Sequence, residues 1–226
     1  MGMCCYAPNL LADTASMQMT SAGPYTMANV YVGPYTANIN GVSTPVICDD
    51  FFDDSWIPQW WTANVYTPPN YSTTRDQQES GLTGTALTQA YNEVGYLAVQ
   101  LLNATGAPTP NATTIGEIDF ALWSVFDPNA LTYLSGSTKT AAQGYLTTAA
   151  GYKNDSSFIS QFTIYSPNMS LPFTCTQNGG ACPNTPPQEF LVRTPEPSEL
   201  ALMGIDVSGV GFLCFLLFRQ RKSLRA

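Results

Sequence analysis

The sequence predicts an α+β domain followed by a single C-terminal transmembrane helix. Turn-bounded stretches in the first third alternate apolar and polar residues, which is typical of strands. Apolar residues then recur at helical spacing through the middle of the chain, and alternation returns after residue 157. Strands followed by helices and then by further strands favour an α+β fold over a repeating βαβ arrangement.

The N-terminal strands are predicted from alternation and from one turn signal. Residues 27–39 alternate and are followed by Asn40-Gly41, which predicts a hairpin with residues 42–48 as the return strand. Residues 60–67 form another predicted strand, which Pro68-Pro69 ends. Residues 70–84 are polar, and we expect them to form a loop.

Two to three helices are predicted in the centre. Over residues 85–102 the apolar residues fall on one helical face. A second helix follows Thr113 and Thr114, with Glu117 in position for a capping box. A third covers residues 138–152. Strands are expected again at residues 158–165 and 188–192, with residues 175–187 as the loop between them.

Composition excludes several classes of site. The chain of 226 residues carries a net charge of −8 and only 11% charged residues, and it contains no His. Triads that depend on His and metal sites with His ligands are therefore excluded. The acidic balance also disfavours nucleic acid as a partner. We predict no cofactor.

The last part of the chain has three segments in a fixed order. Pro195-Glu196-Pro197 comes first, and an apolar run covers residues 200–218, interrupted by Asp206. At ~1.5 Å per residue, a helix of this run spans a hydrocarbon core of ~30 Å. Four basic residues close the chain: Arg219, Arg221, Lys222 and Arg225. The positive-inside bias predicts one membrane span with the preceding domain outside; a buried C-terminal core helix is the alternative.

This order resembles the PEP-CTERM sorting signal of Gram-negative and related bacteria, and the resemblance covers residues 195–226 only. It implies a membrane-anchored precursor whose helix is removed by the membrane protease exosortase. The product would then lie at the cell surface or outside the cell. We accordingly divide the chain into an exported domain (residues 12–184), a linker (185–194) and the sorting signal. Residues 1–11 are expected to be a signal-peptide remnant or a mis-called start, because they lack a basic n-region.

An acidic segment follows the predicted hairpin. Asp49, Asp50, Asp53 and Asp54 lie directly after Cys48, and carboxylates of this density suit a hard cation such as Ca²⁺. Their spacing is not that of an EF-hand loop. A solvated acidic turn at the end of a strand is the preferred explanation, so we predict no metal site and keep these four residues as the candidate.

The same region is similar in order to bacterial thioester adhesin domains. Those domains join a Cys on a strand to a Gln on a later helix, and here Cys48 and the segment Ala121-Leu122-Trp123 match the two motifs. Asp119 stands at the Gln position. Since a thioester forms by loss of ammonia from Gln, we expect no bond. We expect Cys48 to pack as a small buried residue near Trp123, with Asp49 and Asp50 turning the chain outward.

Two other features have competing explanations. Cys175 and Cys182 flank a short polar loop and are predicted to form a disulfide in an oxidising compartment. Trp56, Trp60 and Trp61 are candidates for a sugar-binding platform, but core packing explains them as well.

The predicted function is therefore that of a non-enzymatic exported protein with a structural or adhesive domain. Its expected partners are the membrane, exosortase and exopolysaccharide or surface glycans. One alternative is an enzyme that acts on envelope polysaccharide, which needs a carboxylate pair across a cleft. Asp49, Asp50, Glu93 and Asp119 are its candidate suppliers. A covalent adhesin of the thioester type is the other alternative.

Overall fold

The computed structural model describes residues 13–177, 180–181 and 186–194. All of these except Thr194 belong to one compact unit, which ends at Arg193. The α+β prediction is confirmed: strands come first, helices occupy the middle and strands return at the end. The predicted sorting motif, transmembrane helix, basic end and N-terminal segment 1–11 lie outside the described residues.

In the part of the chain that the structure describes, the main sheet has eight strands and closes on itself. Its members are β1 (Thr14–Ser21), β4 (Tyr35–Ile39), β5 (Val42–Cys48), β6 (Gln59–Tyr66), β7 (Phe162–Pro167), β8 (Thr174–Gln177), β9 (Gly180–Ala181) and β10 (Phe190–Arg193). The order is β1-β4-β5-β10-β7-β6-β8-β9, and β1 also pairs with β6. All pairs are antiparallel. The strands from β1 round to β6 therefore form a closed ring without a free edge between them.

The described helices lie outside this ring. They are α1 (Arg75–Ser80), α2 (Gly84–Thr105), α3 (Ala112–Trp123) and α4 (Gly136–Ala149), with 3₁₀ turns at Pro128–Tyr133, Ala150–Tyr152 and Ile159–Gln161. A small sheet of β2 (Tyr25–Met27) and β3 (Val30–Val32) contacts α3.

Two buried apolar clusters follow from this arrangement. One contains residues of alternating positions in the ring strands, such as Met17, Ala37, Trp61 and Phe190. The other fills the space between the helices and the outer face of the sheet, and includes Tyr91, Leu97 and Trp123.

Several predicted elements are confirmed. β4 and β5 form the predicted hairpin, and Asn40 and Gly41 adopt φ values of 50° and 85°, as the turn requires. The predicted strand at 60–67 is β6, and the helix predicted over 85–102 is α2.

Other predictions are wrong in detail. Residues 27–39 are not one strand, because Ala28 and Asn29 take positive φ and reverse the chain between β2 and β3. The expected loop at 70–84 contains α1. The cap of α3 is Asn111, whose Oδ1 accepts from the N–H groups of Thr113 and Thr114. Strand β1 was not predicted.

The domain also extends further than the sequence indicates. Residues 185–194 were predicted to be a linker, with a last strand at residues 188–192. That strand is confirmed as β10, but it lies between β5 and β7 in the middle of the closed sheet, so the segment is part of the domain. The domain boundary therefore moves to the end of β10. Across the residues that the structure describes, none of the helices combines the length and the apolar character needed to cross a membrane.

Candidate functional site: a buried acidic cluster

Three distant segments bring carboxylates together at one end of the sheet. Asp49 directly follows β5, and Glu189 directly precedes β10, whose Phe190 pairs with Cys48 of β5. This register places Asp49 beside Glu189. Asp76 comes from the first turn of α1. Each of the three residues has a carboxylate oxygen within 4.8 Å of those of the other two, and all three side chains are buried.

Glu189 is held in place by two short hydrogen bonds. Its Oε1 accepts from the Tyr91 hydroxyl at 2.6 Å, and its Oε2 accepts from the Arg75 N–H at 2.7 Å. The Tyr91 ring is itself fixed, because it stacks on Tyr71 with ring centroids 4.3 Å apart. Burial raises the pKa of Glu189, while hydrogen bonds from the Ser166 hydroxyl, from Tyr91 and from the backbone N–H groups of Arg75 and Asp76 lower it.

Asp50 differs from the three clustered carboxylates, because both of its carboxylate oxygens accept backbone hydrogen bonds around the turn after β5. Its Oδ1 accepts from the Phe52 N–H at 2.7 Å, and its Oδ2 accepts from the Glu189 N–H at 3.3 Å. Burial, followed by repulsion from Asp53, raises the pKa of Asp50 to about 8. Asp50 thus ties the turn after β5 to the start of β10.

Asp49 and Asp76 lack such partners. Both oxygens of each carboxylate are buried and receive no hydrogen bond from a donor in the described residues. Burial is the largest cause that raises the pKa of both groups. The second cause is repulsion from Glu189 for Asp49, and repulsion from Asp49 for Asp76. The two carboxyl groups are close enough to hydrogen-bond to each other, which requires a proton on one of them. Either a proton or a cation must therefore reduce the repulsion here.

The nearby basic side chain is directed elsewhere. The Arg75 guanidinium contacts Asp53 at 2.6 Å and Glu79 at 2.5 Å, so its charge is shared with two other carboxylates. The backbone N–H of Arg75 donates to Glu189, and the Arg75 charge lowers the pKa of Asp76 by less than burial or any of the neighbouring carboxylates raises it. The cluster therefore keeps a large excess of negative charge whenever its members are ionised.

Of the three clustered carboxylates, only Asp49 was singled out from the sequence. Asp49 and Asp50 do not turn the chain outward as expected, because both are fully buried. Asp53 pairs with Arg75, and Asp54 is exposed, so the predicted group of four is not one site. Asp76 and Glu189 were missed. The one local signal for Glu189 was its place immediately before the apolar residues of β10.

Cys48 and Asp119, the thioester-like pair, are both buried. The Cys48 thiol donates to the Asp50 carbonyl at 3.0 Å, and the Trp123 indole N–H donates to the Cys48 carbonyl at 3.0 Å. The predicted packing of Cys48 near Trp123 is confirmed. Asp119 Oδ2 accepts from the Gly33 N–H at 2.7 Å, whereas its Oδ1 receives no hydrogen bond from the described residues.

Asp119→Asn should stabilise the protein increasingly as the pH rises. Burial raises the pKa of Asp119 well above its ordinary value, and the Gly33 N–H offsets this only in part. The folded state thus favours the protonated form of Asp119. Ionisation of Asp119 costs the wild type no stability below the pKa of the unfolded chain. Above that pKa, the free energy of unfolding falls as the pH rises towards the raised pKa of the folded state. We expect the variant to match the wild type near pH 4 and to gain about 1–3 kcal/mol at pH 8, the usual range for one unsatisfied buried polar group.

Urea unfolding of the full-length chain across this pH range measures the effect. Asp155→Asn is the control, because Asp155 is exposed and hydrogen bonds from Ser157 lower its pKa. That variant should gain nothing as the pH rises. An Asp119→Asn curve parallel to that of the wild type would contradict the prediction.

A second feature is an aromatic cleft of about 680 Å³, which is lined in part by Trp123. Its walls include the exposed rings of Tyr31 and Tyr133, together with Phe51, Trp56 and Trp123. The three candidate tryptophans do not form one platform: Trp56 lines the cleft, Trp61 packs in the core, and Trp60 is 38% exposed but does not line the cleft. Asp49, Asp50, Glu93 and Asp119 do not line the cleft either.

The predicted disulfide is described at one end only. Cys175 is disulfide-bonded, while Cys182 lies outside the described residues, so the pairing itself stays a prediction. Cys48 is a free thiol.

Comparison of the chain with protein-family models, with curated proteins and with solved structures found no match.

Proposed function

We propose that this chain is an exported bacterial surface protein, sorted by its C-terminal segment and carrying a non-enzymatic adhesive or structural domain. The observation that carries the proposal is the order of Pro195-Glu196-Pro197, the apolar run and the basic end. This order begins immediately after the last described strand, which ends at Arg193. A processing signal of this kind therefore follows the folded unit without a long intervening segment.

The cleft supports an adhesive function over an enzymatic one. Exposed Tyr31 and Tyr133, with Trp56, offer flat ring surfaces of the kind on which sugar rings stack. Glycosidases need two carboxyl groups that flank the bond to be cleaved. The four candidate carboxylates of the enzymatic alternative do not line the cleft. Asp53 and Asp54 do line it, but they are adjacent in the chain and Asp53 is paired with Arg75, so they do not supply two free carboxyl groups across the cleft. Glycans of the surface or of the exopolysaccharide matrix are the proposed ligands.

The sorting step is tested with a double substitution of the motif. In a host with exosortase, the wild-type chain should yield a mature form that ends near residues 195–199, because the membrane helix is removed. Pro195→Ala with Pro197→Ala should leave a membrane-held precursor and reduce the mature form at least about tenfold, a loss of about 1.4 kcal/mol or more in recognition. Intact mass and immunoblotting of membrane and medium fractions measure both species.

A matched control is available elsewhere in the chain. Pro108→Ala with Pro110→Ala makes the same chemical change at two exposed positions and should be processed as the wild type is. If the full-length wild-type chain persists as the stable surface form in this host, the proposed sorting function is wrong.

A further inference from the structure

We propose that Asp49, Asp76 and Glu189 form a structural Ca²⁺ site, which joins the end of β5 to the first turn of α1 and to the start of β10. This site is separate from the sorting signal and from the aromatic cleft, since none of the three residues lines the cleft. It also differs from the acidic segment that the sequence indicates, because it includes neither Asp53 nor Asp54.

The spacing of the oxygens fits one Ca²⁺ ion. Carboxylate oxygens coordinate Ca²⁺ at about 2.3–2.6 Å, so two ligands on opposite sides of the ion lie about 4.6–5.2 Å apart and all others lie closer. One oxygen each from Asp49, Asp76 and Glu189 falls within 4.8 Å of the others. A single ion can therefore reach all three carboxylates without a large rearrangement of the backbone.

The unpartnered oxygens are the independent sign of a ligand. Asp49 and Asp76 are fully buried, yet no donor group of the described residues hydrogen-bonds to their four carboxylate oxygens. The two carboxyl groups can hydrogen-bond to each other, but only if one of them keeps a proton. Buried carboxylates are ordinarily paired or bind a metal, because removing them from water without compensation is unfavourable. Glu189 is the oriented third ligand, fixed by Tyr91 and by the Arg75 N–H.

The charge of the surroundings favours a divalent cation. Three ionised carboxylates would place three negative charges within a few ångströms, with Asp50 next to them. The Arg75 guanidinium is bound by Asp53 and Glu79 and provides little compensation. A divalent ion neutralises most of this charge in one step and adds direct coordination.

Burial favours Ca²⁺ over Mg²⁺. Mg²⁺ gives up its water ligands reluctantly and usually retains several of them. The three side chains are fully buried, which suits an ion that accepts carboxylates, in mono- or bidentate fashion, in place of water. Bidentate binding by these residues supplies up to six oxygens, within the six to eight that Ca²⁺ takes.

Direct binding is the first test. The full-length chain in a mild detergent is dialysed to equilibrium against CaCl₂ after removal of metal with EDTA, and bound calcium is measured by elemental analysis. We expect about one Ca²⁺ per chain. Asp49→Asn and Asp76→Asn should each weaken binding at least about tenfold, because each removes a charged ligand. Asp54→Asn is the matched control, since it makes the same change at an exposed carboxylate of the same acidic segment.

Thermal unfolding is the second test. Its main comparison, the wild type in Ca²⁺ and in EDTA, does not require the ligand variants to fold. With free Ca²⁺ about 100-fold above the Kd, the wild type and Asp54→Asn should melt about 5–10 °C higher than in EDTA. The two ligand variants, where folded, should show no such shift. MgCl₂ at the same concentration should give a smaller shift.

Three results would overturn the proposal. The first is a wild-type chain that neither binds calcium nor melts higher in its presence. The second is binding that is lost in Asp54→Asn but kept in Asp49→Asn and Asp76→Asn, which would mean adventitious binding at the surface. The third is an equal or larger effect of MgCl₂. Ligand variants that are as stable as the wild type, together with no Ca²⁺ effect, would show that a shared proton occupies the cluster instead.

Discussion

Gly95→Ala should lower the free energy of unfolding by about 2 kcal/mol or more, although alanine is the better helix former. Gly95 is buried in the middle of α2, which packs against the 3₁₀ turn at Ile159–Gln161, directly before β7. A Cβ at this position would lie 2.5 Å from the Ile159 nitrogen and 2.6 Å from its Cα. These are backbone atoms and cannot rotate away, so either α2 or the 3₁₀ turn at Ile159–Gln161 must move.

The control for this prediction lies in another helix of the same domain. Gly144 is exposed in the middle of α4, and a Cβ there meets nothing within 4 Å. Gly144→Ala should therefore raise the free energy of unfolding by about 1 kcal/mol, the ordinary difference in helix propensity. Urea unfolding of the full-length chain, followed by tryptophan fluorescence, compares both variants with the wild type. Equal gains in the two variants would show that α2 and Ile159 are not in close contact.

Elements specified by neighbouring residues could be predicted from the sequence. The Asn40-Gly41 turn needs only two adjacent residues that accept positive φ, and α2 needs only a long apolar face. Both were correct for these local reasons. Strand β1 was missed even though its burial alternates, because its Met, Thr, Ser and Gln residues give no marked apolar pattern. Its position depends on pairing with both β4 and β6.

The candidate site was only partly predictable because its members are distant in the chain. Asp49 was singled out, but as part of a solvent-exposed acidic turn, since charged residues are seldom fully buried. Asp76 lies in a polar segment that was expected to be a loop, and Glu189 lies in a last expected strand that was assigned to the linker rather than to the domain. Nothing local indicates that β10 enters the middle of the sheet and carries Glu189 to Asp49. The site therefore depends on the pairing of two strands that are distant in the chain, and the local pattern of each strand does not indicate its partner.

Trp123→Ala should destabilise the domain by about 3–5 kcal/mol, the usual result of removing a large buried aromatic side chain. Trp123 is 1% exposed and packs against Phe51 and Phe120, with ring centroids 4.9 Å and 5.0 Å away. Its indole N–H also donates to the Cys48 carbonyl, so the variant loses the hydrogen bond that joins α3 to the end of β5. The Cys48 carbonyl would then be left without this donor in a buried position.

Two further variants separate packing from hydrogen bonding. Trp123→Phe keeps much of the aromatic volume but loses the donor, and should therefore fall between the wild type and Trp123→Ala. Trp60→Ala removes the same side chain from a position that is 38% exposed and should cost about 1 kcal/mol or less. Thermal and urea unfolding of the full-length chain rank the four proteins. Because Trp123 also lines the aromatic cleft, Trp123→Ala should enlarge that cleft. A Trp123→Ala protein no less stable than Trp60→Ala would mean that Trp123 does not join α3 to the sheet.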